Sequence, residues 1–329
     1  MSGDAFPAAG PTPAARRTHA ILMLVVANFF WGLSFPVIKS ILLLHAQLVP
    51  EAGPWFSTFY TVAPRFLLAT LVLVVWQRRD GWRVTSGELR QGVVIGLFAA
   101  LGMMFQNDGL QFTAASTSAF LTQFYAIMIP VWLAVRTRRN PGWIIWTCCA
   151  LVLGGVAILG QFNWRTFQLG RGEVETLISS VFFMGQILWL ERKEFAANRP
   201  GQLTLVMFAT EAVFFAMAAV AAAPDLTTLL VPWTSLPWLS FTVVLTVFCT
   251  LGAFGLMNTF QPRITATEAG LVYCIEPIFG SVMALFLPAL FSAWAGISYA
   301  NETATWTLLV GGGLITLANV LLQVGVRKA

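Results

Sequence analysis

Long apolar stretches recur along almost the whole of this 329-residue chain and constrain its fold more than any other feature. A helix needs about 20 apolar residues to cross the ~30 Å hydrocarbon core of a bilayer. Ten windows meet that need: 20–44, 55–76, 91–111, 116–135, 143–160, 171–191, 202–222, 237–258, 266–290 and 304–325. Only 10% of the residues are charged, against roughly 25% in soluble domains. We therefore predict an all-α polytopic membrane protein with ten transmembrane helices.

The connections between these windows are short, and the N-terminal segment is polar. Connections of a few to about fifteen residues leave no room for a soluble catalytic or nucleotide-binding domain. Residues 1–19 are rich in Pro and Ala, which predicts a disordered cytoplasmic tail. The first apolar run, about 25 residues long, exceeds the 7–15 residues of a secretory signal. We expect it to be retained as a helix.

The distribution of Lys and Arg predicts the orientation of the chain, because positive residues remain cytoplasmic. With both termini inside, fifteen of the nineteen lie on the cytoplasmic side: Arg16, Arg17, Arg78, Arg79, Arg83, Arg90, Arg136, Arg138, Arg139, Arg192, Lys193, Arg199, Arg263, Arg327 and Lys328. The opposite side carries Arg165 and Arg171, whereas Lys39 and Arg65 lie within spans. This topology explains the net charge of +5 without a nucleic-acid partner. The predicted location is the inner (plasma) membrane.

Matching landmarks about 150 residues apart indicate an internal duplication. The pairs are FFWG at 29–32 with FFMG at 182–185, AFL at 119–121 with AGL at 269–271, Pro130 with Pro277, and GGVAIL at 154–159 with GGLITL at 312–317. Because five spans is an odd number, units 20–160 and 161–329 would be inverted relative to each other, as in many secondary transporters. The alternative is that two Leu/Ala/Gly-rich halves resemble each other by composition alone.

Polar residues in the first span fall on one helical face. At spacings of 3, 4 and 4 these residues are Asn28, Trp31, Phe35 and Lys39. Pro36 cannot donate to the carbonyl of Gly32, so we expect a bend and an exposed acceptor that needs a partner. The face is therefore predicted to line an internal space. For Lys39 two positions remain open, in the cavity or extended to the lipid headgroups.

The ninth span contains a similar arrangement around Pro277. Tyr273, Glu276 and Gly280 share a face, and Pro277 frees the carbonyl of Tyr273. A carboxylate inside the membrane indicates a functional group by default. A structural ion pair is the competing interpretation.

Uncharged polar side chains in the fourth and sixth spans complete the predicted site. They are Thr122, Gln123 and Tyr125 before Pro130, and Gln186 and Trp189. Such groups suit a small polar ligand with an apolar body, although each one could simply join helices. Arg65 and Glu211 are predicted to form a structural charge pair. All four cysteines lie in spans, and none has the CxxC spacing of a metal or disulfide site. We therefore expect no disulfide, no bound metal and no other cofactor.

Four segments resemble the drug/metabolite transporter superfamily, specifically its EamA-like ten-helix exporters. They are FFWGLSFPVIK at 29–39, PRFLLATLVLV at 64–74, TSAFLTQFYAIMIPVW at 117–132 and TATEAGLVYCIEPIFGSVMAL at 265–285. The resemblance implies two inverted five-helix units, a central cavity lined mainly by spans 1, 3, 4, 6, 8 and 9, and export of small metabolites without ATP. Two departures are LAVRTRRN, which lacks the family's acidic residue, and the long connection HAQLVPEAGP.

Within the superfamily, the aromatic-rich spans resemble bacterial amino acid exporters of the YddG type. This resemblance implies alternating-access export of aromatic and other neutral amino acids. The predicted substrate-binding residues are Asn28, Trp31, Phe35, Thr122, Gln123, Tyr125, Gln186, Trp189, Tyr273 and Glu276, and the predicted gating positions or helix breaks are Gly32, Pro36, Pro130 and Pro277. Aromatic rings would stack on the substrate, while Gln and Glu would hold its amino group.

Other classes of function receive less support from the sequence. An exporter of drugs or other metabolites is the main alternative. A channel would need a ring of filter residues, and an enzyme would need HExxH, GxSxG or a similar cluster. Neither is visible, and the chain is not expected to be an enzyme. The expected partners are a small-molecule substrate and the lipid bilayer, with a monomer as the working oligomeric state. Proton coupling through Glu276 and simple downhill flow both remain open.

Overall fold

Helices form the regular structure of the residues that the computed structural model describes, 13–80, 83–113, 115–159, 170–303 and 305–326, and none of these residues is in a strand. The helices are α1 Pro13–Leu48, α2 Pro54–Trp76, α3 Ser86–Phe112, α4 Ala115–Thr122, α5 Tyr125–Thr137, α6 Trp143–Leu159, α7 Arg171–Leu190, α8 Pro200–Ala222, α9 Leu236–Val244, α10 Ala253–Phe260, α11 Ala266–Tyr273, α12 Glu276–Ala284, α13 Leu287–Ala295 and α14 Trp306–Val326. A π-helical segment, Leu245–Gly252, joins α9 to α10.

Six helices in the described ranges are long and apolar enough to cross a bilayer. They are α1, α2, α3, α7, α8 and the helix Leu236–Arg263, which contains α9, the π-helical segment and α10. The pair Ala266–Ala284 and Leu287–Ala295, bent by 57°, would count as a seventh. The prediction of a polytopic, all-helical membrane protein is therefore confirmed. Helices also lie in each of the ten predicted windows, but ten crossings and an inverted repeat remain predictions.

The first helix begins earlier than the sequence predicted. It starts at Pro13, so residues 13–19 of the predicted tail are helical, and residues 1–12 lie outside the described residues. An ion pair with another helix accounts for this extension, because Arg17 Nε donates to Glu268 Oε1 at 3.0 Å. Arg165, Arg327 and Lys328 from the charge analysis also lie outside the described residues.

Small residues allow several helices to approach each other closely. A Cβ atom added to Gly32 of α1 would lie 2.7 Å from Phe279 Cβ and 2.8 Å from the backbone nitrogen of Gly280 in α12. A Cβ atom added to Gly92 of α3 would lie 2.6 Å from Val206 Cβ of α8. In lipid, the hydrophobic effect does not favour helix association, so close van der Waals contacts of this kind stabilise the helix pairs instead. The contact at Gly32 holds α1 against α12, and the contact at Gly92 holds α3 against α8.

The helix breaks differ from the predicted ones. α1 continues through Gly32 and Pro36, and α5 continues through Pro130, so three of the four predicted positions do not interrupt a helix. A proline removes only one hydrogen bond, and packing on neighbouring helices can hold the rest. The interruptions lie at 123–124, between α4 and α5, and at 274–275, just before Pro277. These two short turns place the polar groups of both segments toward the interior.

Candidate functional site

A cavity of about 610 Å³ lies between α1, α2, α3, the α4–α5 and α11–α12 turns, α7 and α10. Six predicted site residues line it: Trp31, Thr122, Tyr125, Gln186, Tyr273 and Glu276. Arg65, which the sequence assigned to a structural charge pair, also lines it, and sequence reasoning missed nine others: Ser34, Ile38, Met103, Gln106, Asn107, Phe183, Ile187, Phe254 and Met257. These residues belong to the six spans that the resemblance implied, with α2 added through Arg65. The cavity thus combines apolar walls with a few polar groups.

Aromatic rings form one corner of the cavity. Trp31 packs edge to face against Phe254, with ring centroids 5.3 Å apart, and against Tyr273 at 5.4 Å. The Tyr273 hydroxyl donates to Gln261 Oε1 at 2.8 Å, and Gln261 Nε2 donates to the carbonyl of Ile187 at 3.0 Å. These bonds hold the Tyr273 ring from behind. The corner is therefore a fixed surface on which a planar or apolar group can pack.

The α4–α5 turn connects Tyr125 to Glu276 of α12 through Gln123. The Tyr125 hydroxyl donates to Gln123 Oε1 at 2.7 Å, and Gln123 Nε2 approaches Glu276 Oε2 at 3.4 Å. Residues two apart on an intact helix do not face each other, so the turn makes the first contact possible. Gln123 supports these two residues and does not line the cavity itself.

Glu276 has no basic partner among the ion pairs of the described ranges. Its side chain is buried, with the long bond from Gln123 as a contact. The structural ion pair that competed as an interpretation is therefore absent from the described part of the chain. An incompletely bonded carboxylate within a membrane protein is costly. It is available to bind a cationic group or a proton.

Thr122 has a structural role as well as a place in the wall. Its hydroxyl donates to the carbonyl of Ser118 at 2.8 Å and accepts from Gln106 Nε2 at 2.9 Å. These bonds link α3 to α4. The interpretation of Thr122 as a group that joins helices is consistent with this geometry.

Besides Gln123, three residues that the sequence placed inward lie outside the cavity lining. Asn28 is buried outside the cavity lining, and its Nδ2 donates to the carbonyl of Leu24 at 2.6 Å. Phe35 belongs to the apolar core. Trp189 lies one turn beyond Gln186, and its ring packs against the Arg192 guanidinium. The guanidinium carbon is 4.3 Å from the ring centroid. Helical spacing identifies a face, but it does not show how far along that face the cavity extends.

Of its two predicted positions, Lys39 does not occupy the one in the cavity. Its Nζ donates to the carbonyl of Leu110 at 2.8 Å. Leu110 lies in the last turn of α3, where carbonyl groups have no partner within the helix. Lys39 thus caps α3, which gives both the carbonyl and the partly buried amine a partner.

Arg65 and Glu211 are close enough to influence each other electrostatically but form no hydrogen bond. Both carboxylate oxygens of the fully buried Glu211 lack a hydrogen-bond partner. Arg65 lines the cavity, its Nη2 contacts Met103 Sδ at 3.7 Å, and its guanidinium lies 4.9 Å from the Phe66 ring centre. Their structural pairing remains a prediction.

Ion pairs hold helix ends together at both ends of the bundle. At the arginine-rich end, Glu88 caps α3 with Thr85 and accepts from Arg199 Nε at 2.8 Å, which raises the pKa of Arg199. At the opposite end, Arg171 binds Asp108 at 2.5 Å and Glu175 at 2.8 Å. Asp108 is fully buried.

The described residues contain no group of three His, Cys, Asp or Glu side chains that could hold a metal ion. The four cysteines are free thiols, and all are buried: Cys148, Cys149, Cys249 and Cys274. The chemistry of the cavity therefore rests on its aromatic, amide, guanidinium and carboxylate groups.

Comparisons with known proteins agree with the predicted resemblance. Residues 18–161 match the EamA-like transporter family. An uncharacterized transporter of Archaeoglobus fulgidus is 24% identical over 281 residues, which cover 84% of this chain and 80% of that protein. A crystal structure with 16% sequence identity covers 94% of this chain and 98% of its own, with a TM-score of 0.65. At that identity the last likeness concerns the fold alone.

Proposed function

On the premise that residues 18–161 form an EamA-like transporter domain, which supports membership of the drug/metabolite transporter superfamily, we propose a secondary exporter of small metabolites. Its substrates are aromatic and other neutral amino acids, and its location is the inner membrane. The transporter named among the relatives supports the general activity. The choice of amino acids as substrates is based on the residues that line the cavity.

The observation that carries this proposal is that an aromatic corner and a carboxylate without a basic partner line the same cavity. Trp31, Phe254 and Tyr273 supply a surface for a ring, and Glu276 lines the same cavity. An α-ammonium group placed at Glu276 would gain a charge-assisted hydrogen bond. An aromatic side chain could then pack on the corner.

Alternating access between two inverted five-helix units is part of the proposal. Two features support it. First, α4 and α11 are both eight residues long, and a two-residue turn follows each. Second, α2 packs on α8 and α6 on α14, which would be equivalent spans of the two units. Transporters with inverted repeats bind substrate between their repeats and expose it alternately to each side.

Counterflow in proteoliposomes tests the activity. Vesicles loaded with unlabelled phenylalanine should accumulate labelled phenylalanine, and the flux should saturate with concentration. Flux that increases linearly would indicate a channel. Failure to exchange any member of a panel of neutral amino acids would eliminate this substrate class. A cationic drug panel in the same assay addresses the alternative exporter, which the apolar walls Met103 and Phe183 would also suit.

Coupling is tested by Glu276→Gln, which keeps the size of the side chain and removes its charge. If Glu276 carries the coupled proton, exchange by this variant loses the pH dependence of the wild type. An unchanged pH profile would favour transport down the substrate gradient without a proton.

A further inference from the structure

Four buried N–H groups of the residues that line the cavity have no hydrogen-bond partner in the described structure. Among the described lining residues, the buried side-chain atoms without a partner are Trp31 Nε1, Arg65 Nε, Asn107 Nδ2 and Gln186 Nε2. Each is an N–H donor, and they come from α1, α2, α3 and α7. Trp and Arg side chains can only donate. A ligand that completes Trp31 and Arg65 must therefore supply acceptor atoms, and the amides of Asn107 and Gln186 can donate to the same ligand.

Arg65 gives the set a positive charge. Its side chain is only 3% exposed, and its guanidinium remains protonated in proteins. The Met103 sulfur, which lies 3.7 Å from Arg65 Nη2, is only a weak acceptor, and Glu211 forms no hydrogen bond to Arg65. A buried charge without a hydrogen-bonded counterion is strongly unfavourable. An anionic ligand in the cavity would relieve this cost.

We infer that Arg65, with Trp31, Asn107 and Gln186, binds the carboxylate of the substrate, while Glu276 binds its ammonium group. This assignment rests on the proposed function and deepens it. Arg65 then becomes a substrate-binding residue, and its role is not limited to pairing with Glu211. It also orients the amino acid, since the two charged ends of the substrate meet opposite charges of the wall.

The charges of the wall favour a zwitterion over other anions. A guanidinium and a carboxylate line the same cavity, so a dianion such as a phosphate monoester would be repelled by Glu276. A cationic amine without a carboxylate would be repelled by Arg65. A neutral amino acid satisfies both groups at once.

Three ligands with the same phenyl ring test the assignment by calorimetry on the purified protein. They are L-phenylalanine, 3-phenylpropionate and 2-phenylethylamine. We expect L-phenylalanine to bind most tightly. The amine should bind at least about tenfold more weakly than either acid, since it leaves Arg65 and the other N–H donors unpaired, whereas phenylpropionate leaves only Glu276 unpaired. Equal or tighter binding of the amine, or binding of none of the three, would overturn the inference. Tighter binding of phenylethyl phosphate than of phenylpropionate would overturn the choice of carboxylate.

Substitutions separate recognition from folding. Arg65→Gln should weaken both acids by roughly tenfold or more and should not weaken the amine, because the charge that repels the amine is removed. Arg65→Lys should restore part of the loss. Arg263→Gln is the matched control, because this exposed arginine packs on Phe260 outside the cavity. An equal loss for all three ligands in Arg65→Gln would identify a purely structural residue.

A second variant covers the case in which Arg65→Gln does not fold. Trp31→Phe keeps an aromatic ring in the corner and removes one N–H donor. It should weaken the two acids several-fold and spare the amine. If Trp31→Phe and Arg65→Lys both leave all three affinities unchanged, the inference is wrong. If phenylpropionate binds in an Arg65-dependent manner but no amino acid is exchanged, the inference stands and the proposed amino acid export fails.

Discussion

At the scale of single residues, Gly32 shows how little space separates α1 from α12. Any side chain there would meet the backbone of Gly280 as well as Phe279, and backbone cannot move aside as a flexible side chain can. We expect Gly32→Ala to destabilise the protein by about 1–3 kcal/mol, measured as a lower thermal midpoint in detergent. Gly255→Ala is the control, because nothing lies within 4 Å of its added methyl group.

The control should be neutral or slightly stabilising, since alanine favours a helix over glycine by roughly 0.5–1 kcal/mol. Equal midpoints for the two variants would mean that α1 and α12 do not approach as described.

Residue spacing predicted part of the site and missed the rest for a definable reason. Trp31 and Glu276 stand out in sequence because each lies on a polar helical face beside a proline, and both line the cavity. Asn107 and Gln106 lie near the end of the third span, where polar residues do not stand out from those of the interface. Arg65 was recognised as unusual, but the sequence offered Glu211 as a partner. Only coordinates show that the two form no hydrogen bond.

At the scale of helices, α3 depends on a cap that also ties it to α8. The Thr85 hydroxyl accepts from the backbone nitrogen of Glu88, and the Glu88 carboxylate accepts from the backbone nitrogen of Thr85. The same carboxylate accepts from Arg199, and its side chain is only 2% exposed. Loss of one residue therefore affects two helix beginnings.

We expect Glu88→Ala to destabilise the protein by about 1–3 kcal/mol, because capping and charge-assisted bonds are both lost. Glu194→Ala is the matched control. Its ion pair with Arg192 leaves both side chains about 40% exposed, at 39% and 42%, and such pairs contribute about 0–1 kcal/mol. Thermal unfolding at equal detergent concentration makes the comparison. A control loss as large as that of Glu88→Ala would contradict this account.

Helix positions followed from hydropathy, but helix interruptions did not. The sequence assigned breaks to Pro36 and Pro130, yet the chain turns at 123–124 without a proline at that point. The hydrogen bond between Tyr125 and Gln123 accompanies this turn. Such a contact depends on neighbouring helices, so it has no signature in the local sequence. The π-helical segment before α10 was missed for the same reason.

At the scale of the whole molecule, the predicted number of crossings has a simple consequence. An even number places both chain ends on the same side of the membrane. We expect short tags at residues 1 and 329 to be protease-sensitive only in inverted vesicles or permeabilised cells, because the arginine-rich connections mark the inner face. Tags that respond on opposite sides would disprove the ten-span arrangement and with it the inverted repeat. A tag inserted at the exposed Leu226 provides the outside control.

The four native cysteines make the molecule well suited to spectroscopy. Each is at most 4% exposed, with Cys148, Cys249 and Cys274 at 0%. Thiol reagents react with accessible thiolates, and burial in apolar surroundings suppresses that form. A cysteine introduced at an exposed position should therefore carry a fluorophore or spin label on an almost unreactive background. Distances between pairs of such labels would then test whether the two sides open in turn, as the proposed alternating access requires.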